Sequence, residues 1–178
     1  MTLSGIRPPE LVITTPEAYG VDLATRTGCR LTLGVLVELV AGAQHEVILG
    51  APYAQSGALS AGPLANALDA ALRRGVRVDW VSTPAALPAL RIRAGSAGVL
   101  RFYQPEGRLL AEPGTLGSHA KFLVVDEAHA YVGSANFTGR GFRDQLEMGL
   151  LVHGEPAREI ARFWRYAIEI GLLVEVRT

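Results

Sequence analysis

The stretch HAKFLVVDEAHAYVGSAN, residues 119–136, decides how this chain folds. It contains two runs of apolar residues on either side of a tight polar connection at Asp126–Ala128. Apolar runs separated by a turn are typical of paired strands, so the stretch predicts one strand at His119–Val125 and a second at Ala130–Val132. The two strands form a hairpin, and Gly133 and the polar residues after it follow the second strand.

The first of these strands places two basic side chains on one face. Side chains alternate along a strand, so His119 and Lys121 lie on the same side and one phosphate group can touch both. Leu123 continues that face into a dry core, while Phe122 packs the opposite face. A strand that is apolar on both faces is expected at the centre of a sheet, where it makes a rigid platform.

Lys121 is the only lysine in the chain, whereas the other sixteen of the seventeen basic residues are arginine. Lysine is a compact and flexible point charge, but arginine is a planar fork, and the two are not interchangeable. The lone exception indicates that position 121 requires an ammonium group.

The polar residues of the stretch stand at set spacings, HxKx4Dx6GSxN. They are His119, Lys121, Asp126, Gly133, Ser134 and Asn136. This pattern resembles the HKD motif of the phospholipase D superfamily, and every fixed position is present. The resemblance extends loosely over the rest of the chain, through Ala51-Pro52-Tyr53 and the stretch 73–78.

The resemblance implies a role for each motif residue. The histidine, here His119, attacks phosphorus and forms a phosphohistidine, and a second histidine protonates the leaving oxygen. Lys121 and Asn136 hold the non-bridging oxygens, with Ser134 as a further donor. The chemistry is sound in itself, because a neutral imidazole is a competent nucleophile and an imidazolium a competent acid near neutral pH. Taken alone, Ser134 and Asn136 are equally typical of a polar turn.

Glu147 is predicted to act in catalysis, whereas Asp126 and Gly133 are predicted to be structural. Glu147 stands where the family carries a glutamate, and we expect it to orient the catalytic histidine by accepting from Nδ1–H. The alternative is an exposed residue on an edge. Asp126 faces away from His119 by strand parity, so we expect it, together with Gly133, to be structural.

Three further residues are candidates for contacts with substrate. Tyr53 follows a predicted strand near the opening of the site, and Arg140 and Arg143 follow the motif closely. They contact substrate phosphates or simply solvate loops, and the sequence leaves both open. The histidines and Asp126 have no recognisable metal-ligand spacing, so we expect no metal and no cofactor.

The order of predicted elements indicates an α/β fold, a mixed and largely parallel sheet flanked by helices, in a single domain covering residues 1–178. The predicted strands are Leu11–Thr14, Glu46–Gly50, 76–80, Val99–Tyr103, Gln145–Val152 and Leu172–Val176, in addition to the two above. The predicted helices are Leu31–Ala43, a helix from Pro63 to about Leu72, a short one at 86–93, and one from Pro156 to about Ile168.

Composition limits the functional classes. The formal net charge is zero, which counts against a nucleic-acid partner without excluding a local basic patch. Cys29 is the single cysteine, and the N-terminus lacks the pattern of a signal peptide, so we expect a cytoplasmic protein. The longest apolar run, Leu31–Ala43, is too short to span a bilayer, so no integral membrane association is expected.

The chain has one HKD motif, and with one lysine it cannot have a second. Most relatives carry two, so a complete site is expected from a homodimer that brings two copies of His119 together, or from a heteromeric partner. Single-motif relatives are commonly nucleases, and the chain is also similar to phospholipase D-like proteins of bacterial anti-phage defence systems. The leading hypothesis is a metal-independent nuclease acting on DNA or RNA. The alternatives are a phospholipase or phosphatidyltransferase, and a non-catalytic nucleic-acid-binding subunit.

Overall fold

A nine-stranded sheet organises the described part of the chain, which comprises residues 7–53, 62–83, 97–107 and 118–176 of a computed structural model. The strands are β1 Glu10–Thr14, β2 Arg30–Leu31, β3 Glu46–Gly50, β4 Arg77–Val81, β5 Leu100–Pro105, β6 Lys121–Val125, β7 His129–Gly133, β8 Glu147–His153 and β9 Leu173–Val176. Their order across the sheet is β2-β1-β8-β7-β6-β3-β4-β5-β9. The motif strand β6 is therefore the central one, as its two apolar faces predict.

The α/β class and the mixed sheet are confirmed, but the expectation of a largely parallel sheet is wrong. Five of the eight pairings are antiparallel, and only β1–β2, β3–β4 and β4–β5 are parallel. The reason lies in the motif itself. Its tight hairpin makes β6 and β7 antiparallel, and β8 returns antiparallel beside β7, so that only the βαβ part of the chain supplies parallel neighbours.

Five helices accompany the strands in these ranges: α1 Glu17–Thr27, α2 Thr32–Gly42, α3 Pro63–Arg73, α4 Gly139–Arg143 and α5 Glu155–Glu169. Proline in the first turn of α3 and of α5 fits a helix start, because that backbone nitrogen has no intrahelical partner. Gly28 closes α1 in the left-handed conformation, at φ 69°. The sequence reading missed α1 and α4. The predicted helix at 86–93 lies outside the described residues.

Two apolar cores lie on opposite faces of the sheet. Leu123 and Val125 belong to the core under α2 and α3, whereas Phe122 and Val124 belong to the core under α5. This confirms the predicted alternation. Trp80, fully buried in the first core, is among the largest side chains there. Each such side chain contributes about 1.5–3 kcal/mol by leaving water.

Several predicted boundaries are corrected by the structure. The motif strand begins at Lys121, so His119 precedes it and is not part of the ladder. β8 begins at Glu147 and ends at His153, displaced from the predicted Gln145–Val152. Strand ends depend on which backbone groups find partners across the sheet, which a local pattern does not encode.

Candidate active site

His119 and Lys121 are in direct contact at the start of β6. The Lys121 Nζ lies 2.9 Å from Nδ1 and 3.2 Å from Nε2 of the imidazole, and donates to the His119 carbonyl at 2.8 Å. An ammonium can approach a ring nitrogen this closely only where the nitrogen presents a lone pair. In a neutral imidazole one nitrogen accepts and the other donates, so which nitrogen Lys121 bonds depends on the tautomer of His119.

The two side chains differ sharply in burial. His119 is exposed, whereas Lys121 keeps only 6% of its surface. Burial lowers the pKa of Lys121, and the negative charge of Glu147 partly opposes that shift. A buried ammonium beneath an exposed imidazole is suited to bind an anion that arrives from solvent, because its field is weakly screened there.

Ser134 and Glu147 form a second contact beside this pair. The Ser134 hydroxyl donates to Glu147 Oε2 and accepts from the Met148 backbone N–H at 3.1 Å. The Ser134 backbone N–H donates to the Met148 carbonyl at 3.0 Å, which joins the end of β7 to β8. Glu147 thus contacts Ser134 and acts electrostatically on Lys121. It makes no hydrogen bond with His119, so orientation of that imidazole by Glu147 stays a prediction.

Gly133 leaves room for a tyrosine. Gly133 and Gly149 face each other across β7 and β8, and a Cβ on either would overlap the ring of Tyr131. Tyr131 is fully buried, with its hydroxyl oxygen lying over Gly133. Gly133 is also the register partner of Lys121, so the phenol lies under the site. Tyr131 was not among the residues predicted from sequence.

Asn136 lies in a loop that is held in place by the buried side chain of Phe137 and by the helix cap at Thr138. Phe137 is fully buried and meets Trp80 edge-on, with ring centroids 6.1 Å apart. Thr138 caps α4 by accepting from the Gly141 N–H at 3.0 Å, and α4 packs so closely on Asn136 that a Cβ at Gly141 would overlap its carbonyl. The Asn136 Oδ1 is buried without a hydrogen-bond partner among the described residues. Threonine is a favoured residue at the start of a helix, so Thr138 is the feature of the sequence that could have indicated this cap.

Asp126 lies at the far end of β6 from His119. Its carboxylate accepts the backbone N–H groups of Gln44, His45 and Glu46, each at 2.8 Å. Burial by itself raises the pKa of Asp126, but these three backbone N–H groups outweigh it and lower that pKa. Asp126 therefore ties the β6–β7 hairpin to the start of β3.

The three remaining candidates for substrate contact lie in two different places. Continuing the β3–β6 register past Gly50 brings Tyr53, which is 49% exposed, to the same edge of the sheet as His119. Arg140 is exposed on α4, and its carbonyl accepts from the backbone N–H groups of Asp144 and Gln145. Arg143 is exposed on the same helix. Whether these side chains contact substrate stays a prediction.

The described ranges hold neither a cluster of metal ligands nor a membrane-spanning helix. These residues contain no group of three or more histidine, cysteine, aspartate or glutamate side chains arranged to hold a metal ion. None of their helices combines the length and the apolar character needed to cross a bilayer.

Comparison with solved structures finds chains with a similar fold. A phospholipase D family member, Nuc from Salmonella typhimurium, superposes with a TM-score of 0.60 at 17% identity, covering 96% of this chain and 100% of its own. NucT from Helicobacter pylori gives 0.65 at 14% identity, covering 95% and 100%. A phosphatidylserine synthase from Haemophilus influenzae gives 0.62 at 14% identity, with 99% of this chain matching 41% of that one. At these identities the likeness concerns the fold alone.

Comparison with known sequences and family models identifies the family. No curated protein sequence matches the chain. The family model described as "Cardiolipin synthase, PLD-like domain" matches residues 36–167, which include the whole motif and Glu147. Because that match spans well over half of the chain and its fold agrees, the chain belongs to the phospholipase D-like superfamily, whose members are phosphodiesterases.

Proposed function

We propose that this protein is a metal-independent nuclease, which hydrolyses DNA or RNA phosphodiesters through a phosphohistidine intermediate in a site shared by two copies of the chain. The observation that carries the proposal is the contact between the exposed His119 imidazole and the buried Lys121 ammonium. The imidazole supplies a nucleophile and the ammonium an anion site, and the two groups are close enough to contact the same phosphate.

The reaction follows from these groups in two displacements. A ring nitrogen of neutral His119 bonds to phosphorus as the bond to the leaving oxygen breaks, and that oxygen takes a proton from the imidazolium of the second His119. The second imidazole then removes a proton from water, whose oxygen displaces the nitrogen of the first. Lys121 and Asn136 offset the charge on the non-bridging oxygens.

An apolar surface supports the second copy. Four exposed side chains share the outer face of neighbouring strands, and we call them the apolar strip: Leu11, Val132, Met148 and Leu150. The strip borders an open groove of about 610 Å³ whose lining includes Ala120 and Phe163. Exposed apolar surface of this kind marks interaction sites. Ala120 adjoins His119 in the chain, so a copy docked here lies near the start of β6.

The test is cleavage of matched single-stranded DNA, double-stranded DNA and RNA in excess EDTA. Wild type is expected to cleave at least one of them, and His119→Asn none. The matched control is His45→Asn, an exposed histidine at the far end of the sheet, which keeps full activity.

Covalent capture tests the intermediate. Alkaline quenching during turnover is expected to leave labelled nucleotide on the wild-type protein, in a bond that acid breaks, and no label on His119→Asn. Cleavage that stops in EDTA, or that survives in His119→Asn, contradicts the proposed mechanism.

Lipid phosphodiesters are the second candidate substrate. The observation in their favour is the apolar groove beside Ala120, which has the character of an acyl-chain site. Release of headgroup from phosphatidylglycerol vesicles by wild type, with DNA and RNA left intact, supports this candidate over the nuclease. Binding of DNA without any cleavage supports a non-catalytic subunit.

A further inference from the structure

Most arginine side chains in the described part of the chain already have a partner. An ion pair with a carboxylate is formed by Arg7, Arg26, Arg30, Arg73, Arg77, Arg158, Arg162 and Arg165. Arg74 binds three backbone carbonyls, and a hydrogen bond with the Tyr103 side chain raises the pKa of Arg101. The side chains of Arg140 and Arg143 have neither a hydrogen bond nor an ion pair, and we call these two the free arginines.

Both free arginines lie on α4, the helix that follows the motif. They are exposed, whereas Gly141 and Phe142 between them are buried, so the two guanidinium groups share the solvent side of the helix. Residues three apart on a helix have Cβ atoms about 5–6 Å apart. Asp144 is the single carboxylate of the stretch 137–144, and it forms no ion pair with either arginine. The helix therefore presents an excess of positive charge to solvent.

α4 is packed directly against a motif residue. Gly141 approaches the Asn136 backbone so closely that a Cβ there would overlap the Asn136 carbonyl. Phe142 packs on Phe137, with ring centroids 5.8 Å apart, and both rings are buried. The free arginines are therefore carried by a firmly packed element that adjoins Asn136.

α4 also lies on the same side of the sheet as Lys121. Phe142 belongs to the core that contains Leu123, and alternation along β6 places Lys121 on that side as well. Lys121 pairs with Gly133, three residues before Asn136. A phosphate held by Lys121 and Asn136 therefore has α4 beside it.

We infer that the free arginines bind the phosphates that flank the scissile phosphate, so that the site takes a nucleic acid strand. This inference rests on the proposed function, in which Lys121 and Asn136 hold the scissile phosphate itself. Successive phosphates of one strand lie about 3.4 Å apart along the axis of a duplex, so guanidinium groups one helical turn apart can cover neighbouring phosphates. A lipid with a single phosphodiester has no flanking phosphate for them to bind.

The lack of a carboxylate partner suits the free arginines to this role. An arginine that is already paired must give up its carboxylate before it binds a phosphate, whereas a free guanidinium can make a bidentate contact at once. Phosphate contacts carry no sequence information, and they weaken with salt because binding releases counterions from the nucleic acid. The free arginines are therefore expected to contribute affinity that depends on salt but not on sequence.

Binding without turnover tests the inference. In the His119→Asn background, fluorescence anisotropy gives the affinity for two single-stranded DNA oligonucleotides of unrelated sequence between about 50 and 200 mM salt. Adding Arg140→Gln or Arg143→Gln is expected to weaken binding about tenfold at the lower salt, the worth of one charged hydrogen bond, and equally for both sequences. Each is expected to reduce the slope of log affinity against log salt by about 0.7.

Three further variants serve as controls. Arg73→Gln removes an exposed arginine that is paired with Asp69 at the opposite end of the sheet, and it is expected to leave the slope unchanged. Arg140→Lys keeps the charge and is expected to keep the slope, with a smaller loss of affinity. Asp144→Asn removes a nearby negative charge and is expected to tighten binding. An unchanged slope in both Arg140→Gln and Arg143→Gln overturns the inference, as does a wild type that binds phosphatidylglycerol vesicles but neither oligonucleotide.

Turnover separates this inference from the proposed function. Bis(p-nitrophenyl) phosphate is a phosphodiester without neighbouring phosphates. In the otherwise wild-type protein, the double variant Arg140→Gln/Arg143→Gln is expected to lower kcat/KM for an oligonucleotide at least about tenfold more than for this small substrate. An equal loss on the two substrates overturns the inference. A wild type that hydrolyses neither refutes the proposed function, while the salt dependence of binding still decides whether the free arginines hold phosphates.

Discussion

At the scale of single residues, the candidate site contains Lys121, the single lysine of the chain. Lys121 is almost completely buried and donates to the His119 carbonyl while contacting both ring nitrogens. A guanidinium has the same charge but is wider and planar, and a buried site of this size cannot turn it toward the imidazole without displacing its neighbours.

Lys121→Arg is therefore expected to lower kcat by about 100-fold or more, a loss typical of removing a preorganised charge contact, although the net charge is unchanged. Steady-state rates on the same phosphodiester as wild type measure this, with the midpoint of thermal unfolding recorded beside them. Arg74→Lys, the reverse exchange away from the site, is the control for stability, since Arg74 binds the carbonyls of Val40, Ala41 and Ala43. Near wild-type rates in Lys121→Arg argue against a specific need for ammonium.

At the scale of elements, the β6–β7 hairpin is held at its turn by Asp126. Both Asp126 and Glu127 have positive φ, 49° and 53°, a conformation that side chains other than glycine rarely adopt. The three backbone N–H groups bound by the Asp126 carboxylate offset that strain and fix the turn on β3. The platform of the site is thus secured at the end opposite to the chemistry.

Asp126→Asn is expected to reduce the free energy of unfolding at pH 7 by about 1–3 kcal/mol, because an amide has one acceptor oxygen where the carboxylate has two. The pKa of Asp126 is lowered in the folded protein, so its contribution is complete above the ordinary value of 3.8 and is lost as the pH falls through the folded pKa. Urea unfolding at pH 7 and at pH 3 measures both effects. A difference between variant and wild type that is equal at the two pH values contradicts this account.

Three strands are tied together at the same end by a pair of histidines. His129 Nδ1 lies 2.8 Å from His153 Nδ1, and His153 Nε2 lies 3.0 Å from Glu10 Oε1. Burial lowers the pKa of His129, the positive charges of His153 and Arg7 add to this, and Asp126 opposes it. The contact therefore works best with His129 neutral.

A histidine with a lowered folded pKa contributes full stability above its ordinary value of 6.5, and that stability is lost as the pH falls through the folded value. Lowering the pH from 7.5 to 5.5 is expected to reduce the Tm of wild type more than that of His129→Gln. Thermal unfolding followed by circular dichroism at both pH values gives the comparison. Equal changes of Tm in the two proteins rule out His129 as the source.

At the scale of the whole molecule, one chain carries one HKD motif and leaves the apolar strip exposed. The strip lies on the outer face of β1, β7 and β8, beside α5, whose Phe163 and Tyr166 are themselves 60% and 61% exposed. A twofold pair can cover the strip of each copy with the helix of the other, because an isologous contact joins the same surface to itself.

Leu150→Asp is expected to convert a dimer into a folded monomer that has lost activity, since the residue is 46% exposed in a single chain. Sedimentation and circular dichroism measure the two properties, and Val21→Asp, 74% exposed on α1, is the control that stays dimeric. Wild type mixed with an equal amount of His119→Asn and allowed to exchange leaves about a quarter of dimers with two histidines, and activity follows that fraction. A monomeric wild type with full activity refutes the shared site.

The sequence by itself determined the features that depend on residues close together in the chain. Spacing within residues 119–136 was enough to predict the hairpin, the nearness of His119 to Lys121, and the central place of β6, because strand alternation and turn chemistry act over a few residues. Apolar periodicity likewise located α3 and α5 to within a few residues. These features need no knowledge of distant neighbours.

Only the tertiary structure decided how the strands pair and which side chains surround the motif residues. The antiparallel pairing of β1 with β8, the ring of Tyr131 against Gly149, and Thr14 opposite Glu147 all join residues far apart in the chain. Register between strands is set by packing of whole sheet faces. The need for glycine at 133 and 149 is recognised only once the Tyr131 ring is seen to occupy the space of a Cβ. The motif predicts the chemistry of the site, whereas the buried groups that surround His119 and Lys121 follow from the fold.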